Sequence, residues 1–472
     1  MTESFQSFLI KIMNAAYGVT CRISEKARAL IVQVLYIGLF GIYIAFRAKI
    51  FKHALYRELL HDVSVRYLFC TAILLIIVVL TINAPLCKVK WRASILYTQL
   101  LTGLGIILIS FLHPIGAGYR LFGFQLLLVF PCFFLVWNNR GDYQRLIKPI
   151  VNAVSIIGIV FYAGTYLMAF RGRLMMDPGS IRCAGVMPNA NSFSLIGMEL
   201  VLCAIYLLAV EGGGWINTFY CSITLGMGLG IVLEGQMRIA IITIGICSIV
   251  TAYYILRFFR NKANMKMFAH VLVLIFLAGI MIQLTAMMID INQQVIARKQ
   301  GVVTADAGDS SQSSELMNPP PEVQDESDVT DRLIKTEGQD LNSYSSGRIW
   351  IWQNYARELN MLGHNFDEYD PVLFTGKKNL PFAHNIFLEI AYRCGVPVGL
   401  MAVLYYLICG IICIKFLFFR SENKRLYLLF PIISAIAFAL EALLDCAVLP
   451  FFQAEALLFY IAVAVMIDKN EN

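Results

Sequence analysis

The chain has 472 residues, 58% of them hydrophobic and 15% charged, with a formal net charge of +7; its mean hydropathy is +0.68. Soluble domains are about 45–50% apolar and about a quarter charged, so this composition excludes a soluble enzyme, a secreted disulfide scaffold and a disordered chain. At about 20 apolar residues per crossing there is room for roughly twelve spans, and long apolar runs point to an all-α polytopic membrane protein and not to a β-barrel.

The amino-terminal stretch MTESFQSFLIKIMNAAYG has no charged region followed by a long apolar core, so no cleaved signal peptide is expected. Apolar runs at 29–46, 67–84, 93–112, 121–137, 149–170, 192–210, 216–233, 239–258, 267–287, 396–419, 426–446 and 449–467 predict twelve transmembrane helices. Basic connectors at Lys88–Arg92, Arg140–Lys148, Arg260–Lys266 and Arg420–Arg425 mark the cytoplasmic side. Both termini then fall inside and the large segment 288–395 falls outside. The segment 47–66 carries five Lys/Arg yet falls outside in this scheme, and is expected to be a basic amphipathic helix at the membrane surface.

Three regions follow: a bundle of about nine spans over 1–287, a large loop over 288–395, and about three spans over 396–472. Between Val302 and Asn342 the loop holds ten Asp/Glu against two Lys/Arg, a composition expected to stay disordered. From 344 to 395 helical spacing returns at Ile349, Trp352, Tyr355 and Leu359, so this part is expected to be ordered and to carry function.

Net charge in such a protein sets orientation first, and no nucleic-acid partner is expected. The twelve cysteines lie mostly in apolar runs, as Cys70, Cys203, Cys247 and Cys409 do, where free cysteine behaves as a small hydrophobe. No zinc spacing, DxD, HExxH, P-loop or GxGxxG after a strand is present, so neither a metal nor a nucleotide cofactor is expected. Bond-making outside the cytoplasm would therefore use an already activated substrate.

Six arginines are predicted on the outer side: Arg171, Arg173, Arg182, Arg238, Arg348 and Arg357. Short outer loops normally avoid cations, and the guanidinium fork suits phosphate oxygens; each taken singly also fits snorkelling to headgroups or anchoring a loop. Arg238, between two apolar runs in LEGQMRIAII, is the most informative, because a charge at such depth is costly and usually functional. His384 precedes the tenth span, and histidine is the side chain suited to accepting a proton near neutral pH. Asn385 beside it fits a helix cap, so the pair also reads as a turn and cap. His364 repeats the His–Asn pair twenty residues earlier and is the rival. Glu199, Glu234, Glu441, Asp445 and Glu455 lie in or near apolar segments. Glu441 and Asp445, four apart on one helix face, fit orienting a histidine, holding an acceptor hydroxyl, or carrying protons in a transporter.

The segment Arg182-Cys-Ala-Gly185-Val-Met-Pro-Asn189-Ala-Asn191 resembles the R-x-x-G…N-P-N signature of the O-antigen ligase and Wzy-type polymerase family, with Ala190 in place of the proline. Arg238 stands where that family has Ser-Arg at the start of a span. Ser346-Gly347-Arg348 followed by Trp352 resembles its S-x-R…W segment. His384-Asn385, nine residues and Gly395 resemble its H-[N/S/Q]-x9-G-x-x-[G/T/Y] pattern, except that Val398 holds the last position and Gly399 follows it. The resemblance covers roughly 180–400.

The resemblance implies a GT-C-like, inverting, metal-independent glycosyltransferase in a bacterial cytoplasmic membrane. Its donor would be an undecaprenyl-diphosphate-linked oligosaccharide, and no cofactor is implied. Arg182, Arg238 and Arg348 would take the diphosphate and His384 would be the base. Asn191, Asn385, His364, Glu441 and Asp445 are the further candidate substrate-binding residues. The acceptor would be another lipid-linked repeat unit in a polymerase of capsule, exopolysaccharide or O-antigen, or a lipid or protein acceptor in a ligase. Membrane lipids and other polysaccharide assembly proteins are the expected partners. A polysaccharide-lipid flippase or transporter, and a scaffold in an assembly complex, are the rival classes.

Overall fold

A computed structural model describes residues 2–48, 63–112, 114–140, 143–176, 182–211, 214–259, 265–306, 348–365, 383–418, 426–444 and 454–467. Most of the acidic tract, the basic stretch after 48 and Asp445 lie outside these residues. The described chain is almost entirely helical. Its helices are α1 (Thr2–Thr20), α2 (Glu25–Arg47), α3 (Val63–Thr81), α4 (Ala93–Leu112), α5 (Ala117–Phe124), α6 (Phe130–Arg140), α7 (Tyr143–Ala169), α8 (Ala190–Glu211), α9 (Trp215–Gly235), α10 (Arg238–Phe259), α11 (Met265–Asp306), α12 (Arg348–Arg357), α13 (Ile386–Cys394), α14 (Val396–Phe418), α15 (Leu429–Leu444) and α16 (Ala454–Ile467). A π-helical turn, Gln125–Val129, joins α5 to α6.

Among the described residues ten helical segments are long and apolar enough to cross a membrane, and Tyr67–Thr81 and Ala456–Ile467 are shorter apolar helices. All coincide with the twelve predicted runs. A helix satisfies its own backbone polar groups, which is why apolar runs of this length take that form in lipid. The ninth run differs in extent. Hydropathy ends it at 287, whereas α11 continues to Asp306 through Asn292, Gln293 and Gln294, because polar side chains end an apolar run without ending a helix. The boundary drawn at 288 therefore falls inside a helix.

Small residues let the central helices approach closely. A methyl group on Gly197 of α8 would lie 2.6 Å from the Gly228 carbonyl of α9, and one on Gly228 would lie 2.6 Å from the Gly197 carbonyl. The order of contacts fixes direction. Tyr206 of α8 meets Phe430 of α15 with ring centroids 5.2 Å apart, while Glu199 lines a small cavity with Phe430, Ile433, Ser434 and Ala437. Moving toward the start of α8 thus moves toward the end of α15, so the two run antiparallel. Cys247 of α10 contacts the Ile433 carbonyl at 3.8 Å. The amino end of α8 and the carboxyl end of α15 therefore face one end of the bundle, and the start of α10 joins them because Arg182 bonds both Asn191 of α8 and Gly235, three residues before α10 begins.

A candidate anion and proton-transfer site at one end of the bundle

Arg182 enters this end on a short hairpin, Met175–Met176 paired antiparallel with Cys183–Gly185. Its Nε donates to the Gly235 carbonyl at 3.0 Å, and a terminal nitrogen donates to Asn191 Oδ1. One guanidinium thus ties the end of α9 to the start of α8. Gly185 has φ +60, and a Cβ there would sit 2.6 Å from the Phe193 ring, so only glycine lets the hairpin close on α8. Asn189 caps α8, accepting from Ser192 N–H at 2.8 Å. Ala190 is the first helical residue, the position where proline is favoured, and alanine there keeps the helix start.

Arg238, half-buried, is the first residue of α10. It follows Gln236, whose φ of 50 closes α9 in a left-handed cap with its N–H on the Val232 carbonyl. A cation at a helix amino terminus adds to the positive end of the helix dipole, so Arg238 and the starts of α8 and α10 give this end a positive field suited to an anion. Glu234, on the last turn of α9, and Asp290 of α11 are two acids of this quarter that lie within electrostatic reach of each other.

The histidine segment lies at the same end. Asn385 caps α13 by accepting from Phe387 and Leu388 N–H at 3.0 and 3.1 Å, and its Nδ2 donates to the Leu443 carbonyl at 3.2 Å. That bond docks His384 beside the last turn of α15, where Glu441 is fully buried. Trp352 of α12 donates its indole N–H to the His384 carbonyl at 3.3 Å, and Arg348, one turn earlier on α12, shares that helix face. His384 itself has φ 48, a conformation that a non-glycine residue keeps only when its surroundings impose it. Among the described residues only Gln236 and His384 are non-glycine residues with positive φ.

His364 is held differently. Its Nδ1 lies 2.9 Å from the Tyr392 carbonyl and its Nε2 lies 3.2 Å from Asn360 Nδ2, and its ring stacks on Tyr392 with centroids 3.9 Å apart. A carbonyl faces one nitrogen and a side-chain amide the other. Both nitrogens are engaged in positioning the turn 360–364 against α13. Gly395 ends α13 with φ 86, and a Cβ there would be 2.4 Å from the Met361 carbonyl. The motif glycine is thus explained by backbone crowding.

The structure brings Arg182 and Asn191 together beside Gly235, three residues before Arg238, as one set, and His384, Asn385 and Trp352, one turn from Arg348, as a second, whereas His364 packs on Tyr392 at the far end of α13. The shared α15 places Glu441 next to the second set. Counting nine residues back from Cys247 and forward from Ile433, about 13–14 Å along each helix, puts Arg238 level with Ala442. Asp445 lies outside the described residues, and Arg171, Arg173 and Arg357 are exposed.

Three residues absent from the sequence-based list hold the histidine segment. Glu389, 1% exposed, accepts from Arg393 Nε at 3.1 Å, from Tyr119 hydroxyl at 3.3 Å and from Ala383 N–H at 2.8 Å. Arg393 is 2% exposed; burial alone would weaken its charge, but the Glu389 carboxylate, together with Tyr119 and Tyr355, offsets this and holds its pKa above the ordinary arginine value. The signal available was a Glu and an Arg four apart inside an otherwise apolar short helix.

The fold and this end of the bundle define a polytopic helical membrane protein with a polar, cation-rich site. No family model matches the chain, and no curated protein and no solved structure matches it.

Proposed function

We propose that the chain is a membrane glycosyltransferase that polymerises, or transfers, undecaprenyl-diphosphate-linked glycan repeat units at the outer face of the cytoplasmic membrane. The observation that carries the reading is the backbone of His384, held at positive φ between the Trp352 indole and the Asn385 cap, at the end of the bundle where Arg182 and Arg238 stand. In this mechanism the His384 imidazole takes the proton of an acceptor hydroxyl. The hydroxyl oxygen bonds to the anomeric carbon of the donor, and the bond from that carbon to the diphosphate breaks with its electron pair leaving on the diphosphate. Arg182 and Arg238 stabilise the charge that develops there, with Arg348 as the third cation. Fixed donors at a leaving oxyanion are usually the largest catalytic contribution, and a positioned base adds roughly 10²–10⁴-fold.

One observation favours a different class. Glu199 is 4% exposed and lines small cavities on two sides, toward Ser434 and toward Tyr43, as a proton-carrying acid of a transporter would. The test separates them. The purified chain in lipid, given lipid-linked repeat units as sole sugar substrate, should produce a glycan ladder that disappears in His384→Ala and Arg238→Gln. Ladder formation by His384→Ala at the wild-type rate refutes the assignment, and transport that survives the same change supports the rival.

A further inference from the structure

Beyond the Arg182–Arg238 pair, four cations gather on one surface. The span Tyr143–Ala169 ends and the chain turns at once, with Arg171 and Arg173 N–H both returning to the Met168 carbonyl at 3.1 Å and Gly172 N–H to Ala169 at 2.9 Å. This turn is pinned to α11. Lys299 Nζ donates to the Arg171 carbonyl at 2.6 Å, and Leu174 N–H donates to Asn292 Oδ1 at 3.0 Å. Gly172, φ +61, sits so close that a Cβ would be 3.0 Å from Val295. Arg171 and Arg173 are thereby held beside Lys299, which Arg298 precedes on α11, all four exposed.

Their depth is set by the span before them. Arg171 and Arg173 follow Ala169, the end of the span Tyr143–Ala169, by two and four residues, and the Lys299–Arg171 bond brings Lys299 to the same level. Directly before them Leu167 and Phe170 are 64% and 56% exposed, an apolar collar facing hydrocarbon. Cations standing just above such a collar are at the depth of lipid phosphates. A fold that pins four like charges on one surface opposes its own Coulomb repulsion, which an anion at that depth relieves. Asp290, nine residues before Lys299, lies about 13–14 Å lower along α11, so among the described residues this surface is cationic.

We propose that Arg171, Arg173, Arg298 and Lys299 form a site for the phosphate headgroup of a membrane lipid, separate from the Arg182–Arg238 pair. The inference stands whether or not the chain transfers sugars. Under the polymerase reading the acceptor is itself a lipid diphosphate, and this is a second place at the same end of the bundle able to hold one.

The experiment is native mass spectrometry of the full-length protein, released from detergent after titration with phosphatidylglycerol, zwitterionic phosphatidylcholine or undecaprenyl diphosphate. Wild type should retain phosphatidylglycerol over phosphatidylcholine. Each cation contributes about fivefold to such a preference, so Arg173→Gln and Lys299→Gln singly should lower it by about that factor. The combined R171Q/R173Q/R298Q/K299Q should abolish it, while R182Q/R238Q keeps it. The single variants keep the test decisive if the combined one fails to fold. One-for-one displacement of phosphatidylglycerol by undecaprenyl diphosphate assigns the site to the carrier lipid, and failure to displace assigns it to phospholipid headgroups. Preference unchanged within twofold in both single variants, or lost only in R182Q/R238Q, overturns the proposal.

Discussion

Replacing Glu389 by alanine takes the carboxylate from beside buried Arg393, and removes the acceptor that Glu389 offers to Ala383 N–H and the Tyr119 hydroxyl. Removing one partner of a buried pair costs about 3–5 kcal/mol, and an unsatisfied buried N–H adds roughly 1–3 kcal/mol. The single variant should therefore be among the most destabilised in the protein, read as a fall in thermal unfolding temperature in lipid nanodiscs. E389L/R393M separates the two roles of the pair. Apolar replacement of a whole buried pair is often neutral, so this double variant should regain most of the lost stability. It does not restore the acceptor for Ala383 N–H, the anchor one residue before His384, so turnover should stay low, while Glu389→Gln, which keeps an acceptor oxygen, should keep part of it. Recovery of both stability and turnover in E389L/R393M would refute the argument that Glu389 positions the histidine. A cost below about 1 kcal/mol for Glu389→Ala would refute the buried network itself.

Further expectations are open to direct measurement. His384→Ala should abolish turnover at unchanged unfolding temperature, whereas His364→Ala, losing two ring contacts and the Tyr392 stack, should lower stability and leave measurable turnover. Gly395→Ala should cost at least about 1–3 kcal/mol from backbone strain alone, before the clash with Met361, and chemical denaturation of the two proteins side by side checks it. Arg182→Lys keeps the charge but cannot span Gly235 and Asn191 at once, so kcat/KM for a lipid-linked donor should fall with little change in expression. Deleting 307–340, which begins just after α11 ends, should leave turnover intact; loss of polymer at normal membrane levels would contradict this.

Much of the fold was legible because lipid imposes one rule: long apolar runs become helices. That is why all twelve runs reappear as helices, all but the ninth with ends shifted by a few residues. The site was legible where a residue type was out of place, as with Arg238 between two spans or histidine before a span. Roles set by local geometry were harder to see. Asn191 reads as a ligand group in sequence and in the structure holds Arg182; His364 reads as a rival to His384 and in the structure packs its ring on Tyr392 with both nitrogens engaged. The Glu389–Arg393 pair left its four-residue spacing, but a charge pair on a short helix usually means a solvated face, and only the burial of both side chains shows otherwise. The outward run of α11 was invisible to hydropathy because its last turns are polar.

The two left-handed residues, Gln236 and His384, carry a practical lesson for anyone wishing to toughen this protein. Each is a position where glycine would relax the backbone by about 1–2 kcal/mol. Screens that select only for heat resistance should therefore converge on these two sites, one two residues before Arg238 and the other the histidine itself. Under the proposed function, variants so obtained should survive purification better and work worse, because both strained conformations adjoin the proposed reactive groups.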